Sequence, residues 1–273
     1  MLYKWLLKMR RIYNYISFKI YSTKLLIFFT ILVIYQFSLL LSLIFDGRSY
    51  NVYDFIWSNF SYLALFYFTS LIFLIMIYNI FEKKNFYNYL SIKFASRQEM
   101  YIANILTALI FSIMFIIAIN IISILMGSFM SFNNSWSEYF FAANLNNINL
   151  ALNEDTVKLV TDSLTPISYV FITNIFVMLY LVFISILFIV FNLIFKKRSL
   201  SFILIIILNG INMAMDNSKI LFTNNIYILN SKAIEVTNGT YIISRLCYWI
   251  ILILLVSFIG FVLTKKKDCN FGD

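Results

Sequence analysis

Residues 82–99 read EKKNFYNYLSIKFASRQE, and a long apolar run lies on either side of them. The stretch ends in Ser96-Arg97-Gln98-Glu99. Serine followed three residues later by glutamate has the form of a capping box, so a helix starts at Arg97 and continues into the second apolar run. Upstream, Phe86, Tyr89, Leu90 and Phe94 recur at helical spacing, with Lys84, Asn88 and Lys93 between them. That spacing predicts a short amphipathic helix beside a membrane. It fits a connector lying on the lipid surface and a knob docking into a soluble partner equally well.

Composition sets the class. Of 273 residues, 62% are hydrophobic and 12% charged, far from the balance of a soluble globular domain. With only six Gly and one Pro there is little turn chemistry, so long helices must dominate. The expectation is an all-α polytopic membrane protein, one membrane domain over residues 1–273. The chain has no histidine, which removes His-based catalysis and most transition-metal sites. Cys247 and Cys269 fall in an apolar run and a basic tail, so no disulfide framework is expected. A cleaved signal peptide is not expected either, because residues 1–23 carry charges throughout.

Residues 1–23 read as an interfacial helix. On a helical wheel Lys4, Lys8, Arg11 and Lys19 take one side and Leu2, Trp5, Met9, Ile12, Ile16 and Ile20 another. Six spans follow, at about 25–45, 60–81, 101–127, 167–195, 200–215 and 246–263. Thr165-Pro166 reads as N-cap and first helical residue of the fourth. Within the polar segment 128–165, Leu145, Ile148, Leu152 and Leu159 hint at a short surface helix. Residues 216–240 are too apolar for a free loop and too interrupted for a span, which predicts a re-entrant or interfacial stretch covered by protein.

Charge gives the orientation. Sixteen of the 21 basic residues fall on one side of these spans, in residues 1–24, the 82–99 loop, Lys196-Lys197-Arg198 and Lys265-Lys266-Lys267. The positive-inside rule places both termini in the cytoplasm. The net charge of +9 is thus a topology signal, because these charges flank spans and form no single nucleic-acid-binding patch.

Chemistry is sparse. The sequence contains no GxxxxGK[ST] phosphate loop and no GxSxG. None of the six spans as drawn holds Asp, Glu, Lys or Arg, which argues against a proton-driven carrier and an intramembrane protease. Their amides are Gln36, Asn79, Asn104, Asn120, Asn174, Asn192, Asn209 and Asn212. These read as interhelical hydrogen bonds in preference to a translocation path. Asp216 and Arg245 bracket the interrupted stretch and are expected to pair.

Six spans, an amphipathic N-terminal helix and a central cytoplasmic loop resemble a permease subunit of a type-2 ATP-binding-cassette exporter, of the small bacterial peptide- or drug-export kind. The most specific stretch is Leu90 to Tyr101, LSIKFASRQEMY, similar to the loop where a short helix precedes a Ser-Arg and an aromatic residue entering the third span. The resemblance implies that Phe86, Tyr89, Leu90, Lys93, Phe94 and Arg97 couple the permease to a separate ATPase subunit. It implies no cofactor in this chain, since ATP is used by the partner. It also implies a second permease copy or a related permease, a multi-pass location in the bacterial cell membrane, and export of an amphipathic or apolar cargo, antimicrobial or other peptides foremost. Two rivals make different predictions. An ATPase-independent carrier or channel would run on an ion gradient. A non-transporting membrane scaffold or immunity protein would bind no ATPase.

Overall fold

The computed structural model describes residues 2–20, 24–81, 94–140, 161–214, 222, 225–226 and 238–266. Among these every regular element is helical. Helix α1 spans Leu2–Ile20 and α2 spans Lys24–Asp46. A short α3, Val52–Ser58, follows, then a π-helix, Ala64–Thr69, that runs straight into α4, Ser70–Ile80. Helix α5 is Arg97–Met126, α6 is Pro166–Phe195, α7 is Arg198–Ala214 and α8 is Gly239–Lys266.

Four helices are long and apolar enough to cross a membrane: Leu25–Asp46 of α2, then α5, α6 and Gly239–Lys265 of α8. The expected spans at 60–81 and 200–215 form shorter apolar helices, Ala64–Ile80 and Arg198–Ala214. Each has 17 residues, which rise only ~26 Å against a hydrocarbon core of ~30 Å. The first of these is shortened because the chain breaks at Asn59–Ser61, where the Asn59 side chain donates back to Phe55 O and Ile56 O. Residues 52–58 instead form α3, capped by a reciprocal box between Asn51 and Asp54. The last helix begins seven residues earlier than expected and takes Arg245 inside it.

Direction alternates along the bundle. Met76 shares an apolar pocket with Leu25 and Phe28, and Tyr35 stacks on Phe68, so α4 runs antiparallel to α2. Asn120 of α5 meets Asn174 of α6, and Tyr101 at the start of α5 meets Ser257 near the end of α8. Helix α6 sits at the centre. It buries Tyr169, Phe176, Tyr180, Phe183 and Phe188 among others, while α8 keeps most of its span exposed. That exposed surface is apolar, including Ile251, Leu254 and Phe258, as expected for lipid contact. The contact of α5 with α8 depends on Gly260. A Cβ there would lie 2.0 Å from the Tyr101 hydroxyl.

Seven of the eight amides make tertiary hydrogen bonds. Gln36 donates to Ile119 O and accepts from Ser123, whose hydroxyl also accepts from Asn59. Asn120 and Asn174 bond reciprocally, and Asn209 accepts from Tyr180 and donates to Ser70. Asn104, Asn192 and Asn212 accept from Tyr15, Ser201 and the Phe222 amide. Asn79 alone among the eight shows only a bond within its own helix among the described residues, to Ile75 O. The amides are thus used to join helices, each such bond contributing about 0.6–2 kcal/mol in an apolar setting.

Opposite ends of the bundle are closed differently. At the end carrying α3, residues 47–52 are stitched to 131–139: Val52 N donates to Ser131 O, Tyr139 N to Ser49 O, and the Asn51 amide to Ser135 O. Beneath this, Trp57 donates to the Tyr169 hydroxyl and Trp136 to Leu164 O, with Phe140 packed against both indoles. The surface helix expected around Leu145–Leu159 lies outside the described residues, as does Asp216. Arg245 bonds to the Asn225 side chain and lies over the Tyr241 ring.

Candidate functional site: the clasp around the 82–99 loop

The capping box expected at Ser96 forms with one shift. Ser96 Oγ accepts from Glu99 N at 3.1 Å, which satisfies one of the free donors in the first turn of α5. The Glu99 carboxylate reaches back to Ala95 N at 3.0 Å, one residue earlier than the reciprocal bond of a capping box. Glu99 is 5% exposed, and its other oxygen lies 3.7 Å from Arg11 Nε of α1. A buried carboxylate needs such partners, because its unpaired charge would cost several kcal/mol.

Helix α1 makes two further contacts, spaced by one turn each. Arg11, Tyr15 and Lys19 stand four residues apart and form one stripe along the helix. The buried Tyr15 hydroxyl donates to Asn104 Oδ1 at 2.7 Å, and its ring meets Phe94 edge-on at 5.5 Å. Lys19, 7% exposed, donates to Ile80 O at the end of α4. A cation there also complements the negative end of the helix dipole. Lys19 turns inward because the last carbonyls of α4 offer it a partner, while Arg11 stays one-third exposed beside the buried Glu99. Ile12 and Ile16 bury beside them.

These three contacts hold both exits of the 82–93 segment. Lys19 grips the exit from α4, while Tyr15 and Arg11 grip the entrance to α5. Of the residues expected to couple to a partner, Phe86, Tyr89, Leu90 and Lys93 lie outside the described residues. Phe94 is half-buried against Tyr15, and Arg97 is exposed on the first turn of α5. Sequence reading missed Tyr15; it placed Lys19 only on the basic side of the wheel, and it read Asn104 as an interhelical hydrogen bond, which Asn104 makes. The signal available was the i, i+4, i+8 series Arg11-Tyr15-Lys19, which cuts across the apolar stripe.

Basic residues gather at this same end. Among the described residues Lys19, Arg97, Lys196, Lys197, Arg198 and Lys265 flank helix termini here, with Arg11 in the middle of α1, while Arg48 and Arg245 lie toward the other end. Among the described residues no three carboxylate or thiol groups come together as metal ligands. Together the clasp contacts tie α1 to the end of α4 and to the first turns of α5. Compared with known proteins, the chain matches no family model, no curated protein and no solved structure.

Proposed function

We propose that the chain is the membrane-spanning subunit of an ATP-driven exporter of the type-2 ATP-binding-cassette kind. In this reading the chain crosses the bacterial cell membrane six times with both termini in the cytoplasm, and α1 lies at the inner interface. The observation that carries it is the clasp. One amphipathic helix holds both exits of a basic, aromatic loop, so force applied to that loop is delivered to three helices at once. A pathway with no charged group along most of its spans needs an outside energy source, and this loop is where it would arrive. Phe86, Tyr89, Leu90, Lys93, Phe94 and Arg97 form the contact with the ATPase, and a second permease copy or a related permease completes the pathway. The uncharged, aromatic interior suits an amphipathic or apolar cargo, with peptides favoured.

The test is a pull-down of the tagged chain from its native membrane in mild detergent, with the co-purifying proteins identified by mass. An ATP-binding-cassette subunit in stoichiometric amount is the expected result. Reversing charge at Lys93 and Arg97 together should strip that subunit while leaving the chain in the membrane. If the chain comes out alone at every detergent strength, the reading fails and an ATPase-independent carrier or a scaffold takes its place.

A further inference from the structure

We propose that the seam between α4 and α7 binds one anionic phospholipid, its phosphate held by Lys197 and Arg198 and one acyl chain laid along the seam. This rests on the membrane-embedded fold and not on the ATPase reading above.

Two cavities follow one another along this seam. The first, about 340 Å³, opens directly beside the basic turn between Tyr78 and Asn79 of α4 and Ser199, Phe202 and Ile203 of α7. The second, about 170 Å³, continues it between Leu71 and Leu74 of α4 and Ile206, Gly210 and Met213 of α7. The α7 positions 199, 202, 203, 206, 210 and 213 fall on one helical face, so the cavities form a single groove. From residue 199 to 213 the groove runs ~21 Å, longer than one leaflet's half of a ~30 Å hydrocarbon core. Toward its far end Gly210 is exposed, and a Cβ there would meet nothing within 4 Å.

The charge sits at one mouth of the groove. The Arg198 guanidinium lies 5.2 Å over the Tyr78 ring, and its Nε and Nη1 are buried without a hydrogen-bond partner. A stacked guanidinium keeps its full charge. Lys196 and Lys197 are exposed beside it. Among the described residues no carboxylate pairs with any of the three; the acids that do pair, Glu99 and Asp46, are held by Arg11 and Arg48. A basic turn beside an apolar groove between membrane helices matches a phosphate headgroup on an acyl chain. A zwitterionic lipid offers the same chain with its charge cancelled. A second copy packed across this seam about a two-fold axis would set three cations against three. The other apolar pocket, between α2, α4 and α5, is lined by Leu25, Phe28, Met76, Phe111 and others with no charge among them, and offers a headgroup nothing.

Native mass spectrometry of the full chain in mild detergent, titrated separately with dioleoyl phosphatidylglycerol and dioleoyl phosphatidylcholine, tests this. One phosphatidylglycerol should be retained per chain at about a tenfold lower concentration than phosphatidylcholine, as expected for two basic side chains near one phosphate. Lys197→Gln with Arg198→Gln should erase most of that preference. Ile203→Trp fills the groove with the charges intact and should lower retention of phosphatidylglycerol by a similar factor. Equal retention of the two lipids overturns the proposal. So does a phosphatidylglycerol preference that survives both variants, or a chain dimer that Ile203→Trp abolishes while lipid retention is unchanged.

Discussion

The end of the bundle that carries α1 and the end that carries α3 are closed by opposite means. At the α3 end, backbone hydrogen bonds zip residues 49–52 to 131–139, and indole and phenyl rings fill the space beneath. At the α1 end, single polar side chains reach from one helix to the termini of two others. Rings and ladders make a closure with one geometry, because their contacts are many, short-ranged and lost together. Long side chains anchored at their tips hold position while permitting small displacements of what they hold. The α3 end is thus held by packed rings and backbone bonds, and the α1 end by the tips of a few polar side chains.

The largest test of that contrast is Trp57→Ala. It removes a buried indole and its bond to Tyr169, and should cost about 3 kcal/mol or more of stability. Thermal unfolding in detergent would read the loss. Recovery of the proposed ATPase per folded chain should be unchanged; a parallel fall would mean the two ends are not separable. Next comes Gly260→Ala, whose new methyl collides with the Tyr101 hydroxyl and should cost about 1–3 kcal/mol by overpacking. Adding Tyr101→Phe should return part of it, and no return would show that the strain lies in the helix backbones.

A smaller effect belongs to the clasp. Arg11→Gln leaves Glu99 buried beside fewer donors and should cost about 1–2 kcal/mol, since Arg11 is itself one-third exposed. Arg11→Gln combined with Glu99→Gln should recover most of that cost in a double-mutant cycle, whereas additive losses would deny the ion pair any role. The smallest is a pH effect at the other end. Burial pushes the Asp54 carboxyl up from 3.8 to about 6, against hydrogen bonds from Ser137 and the Asn51 amide. The folded chain therefore holds this proton more tightly than the unfolded one. The stability it contributes is present below about pH 4 and lost as pH rises through 6. Asp54→Asn should flatten the melting temperature across that window, and an unchanged slope would assign it to other groups.

Much of this architecture is legible in the sequence where a rule is local. Ser96 caps α5, and Thr165 with Pro166 opens α6 as the spacing indicates. The amides serve as joints because an apolar helix leaves them few other partners. Asn51-x-x-Asp54 is a capping signal of the same kind, masked by its position in a segment that reads as a loop. The early start of α8 is hidden by Arg245, whose charge ends an apolar window although Asn225 and Tyr241 accommodate it. Least legible is the direction of Lys19. Hydropathy assigns a lysine to water, and only the approach of the α4 terminus gives it a carbonyl to bind.

The π-helix at Ala64–Thr69 has a consequence for how this chain tolerates changes of length. Its wide turns accommodate residues that a regular α-helix would count differently, with Ser70 N bonded five residues back to Leu65 O. Deleting one residue there restores an α-helical count and leaves the flanking turns nearly in phase, so Tyr78 still faces Ser199. Deleting one residue from the regular turns of α4 instead would rotate everything after it by ~100°. Tyr78 would leave the face opposite Ser199, and the groove beside α7 would lose one of its walls. The wide turn is thus the place in this helix where a change of length leaves the groove intact.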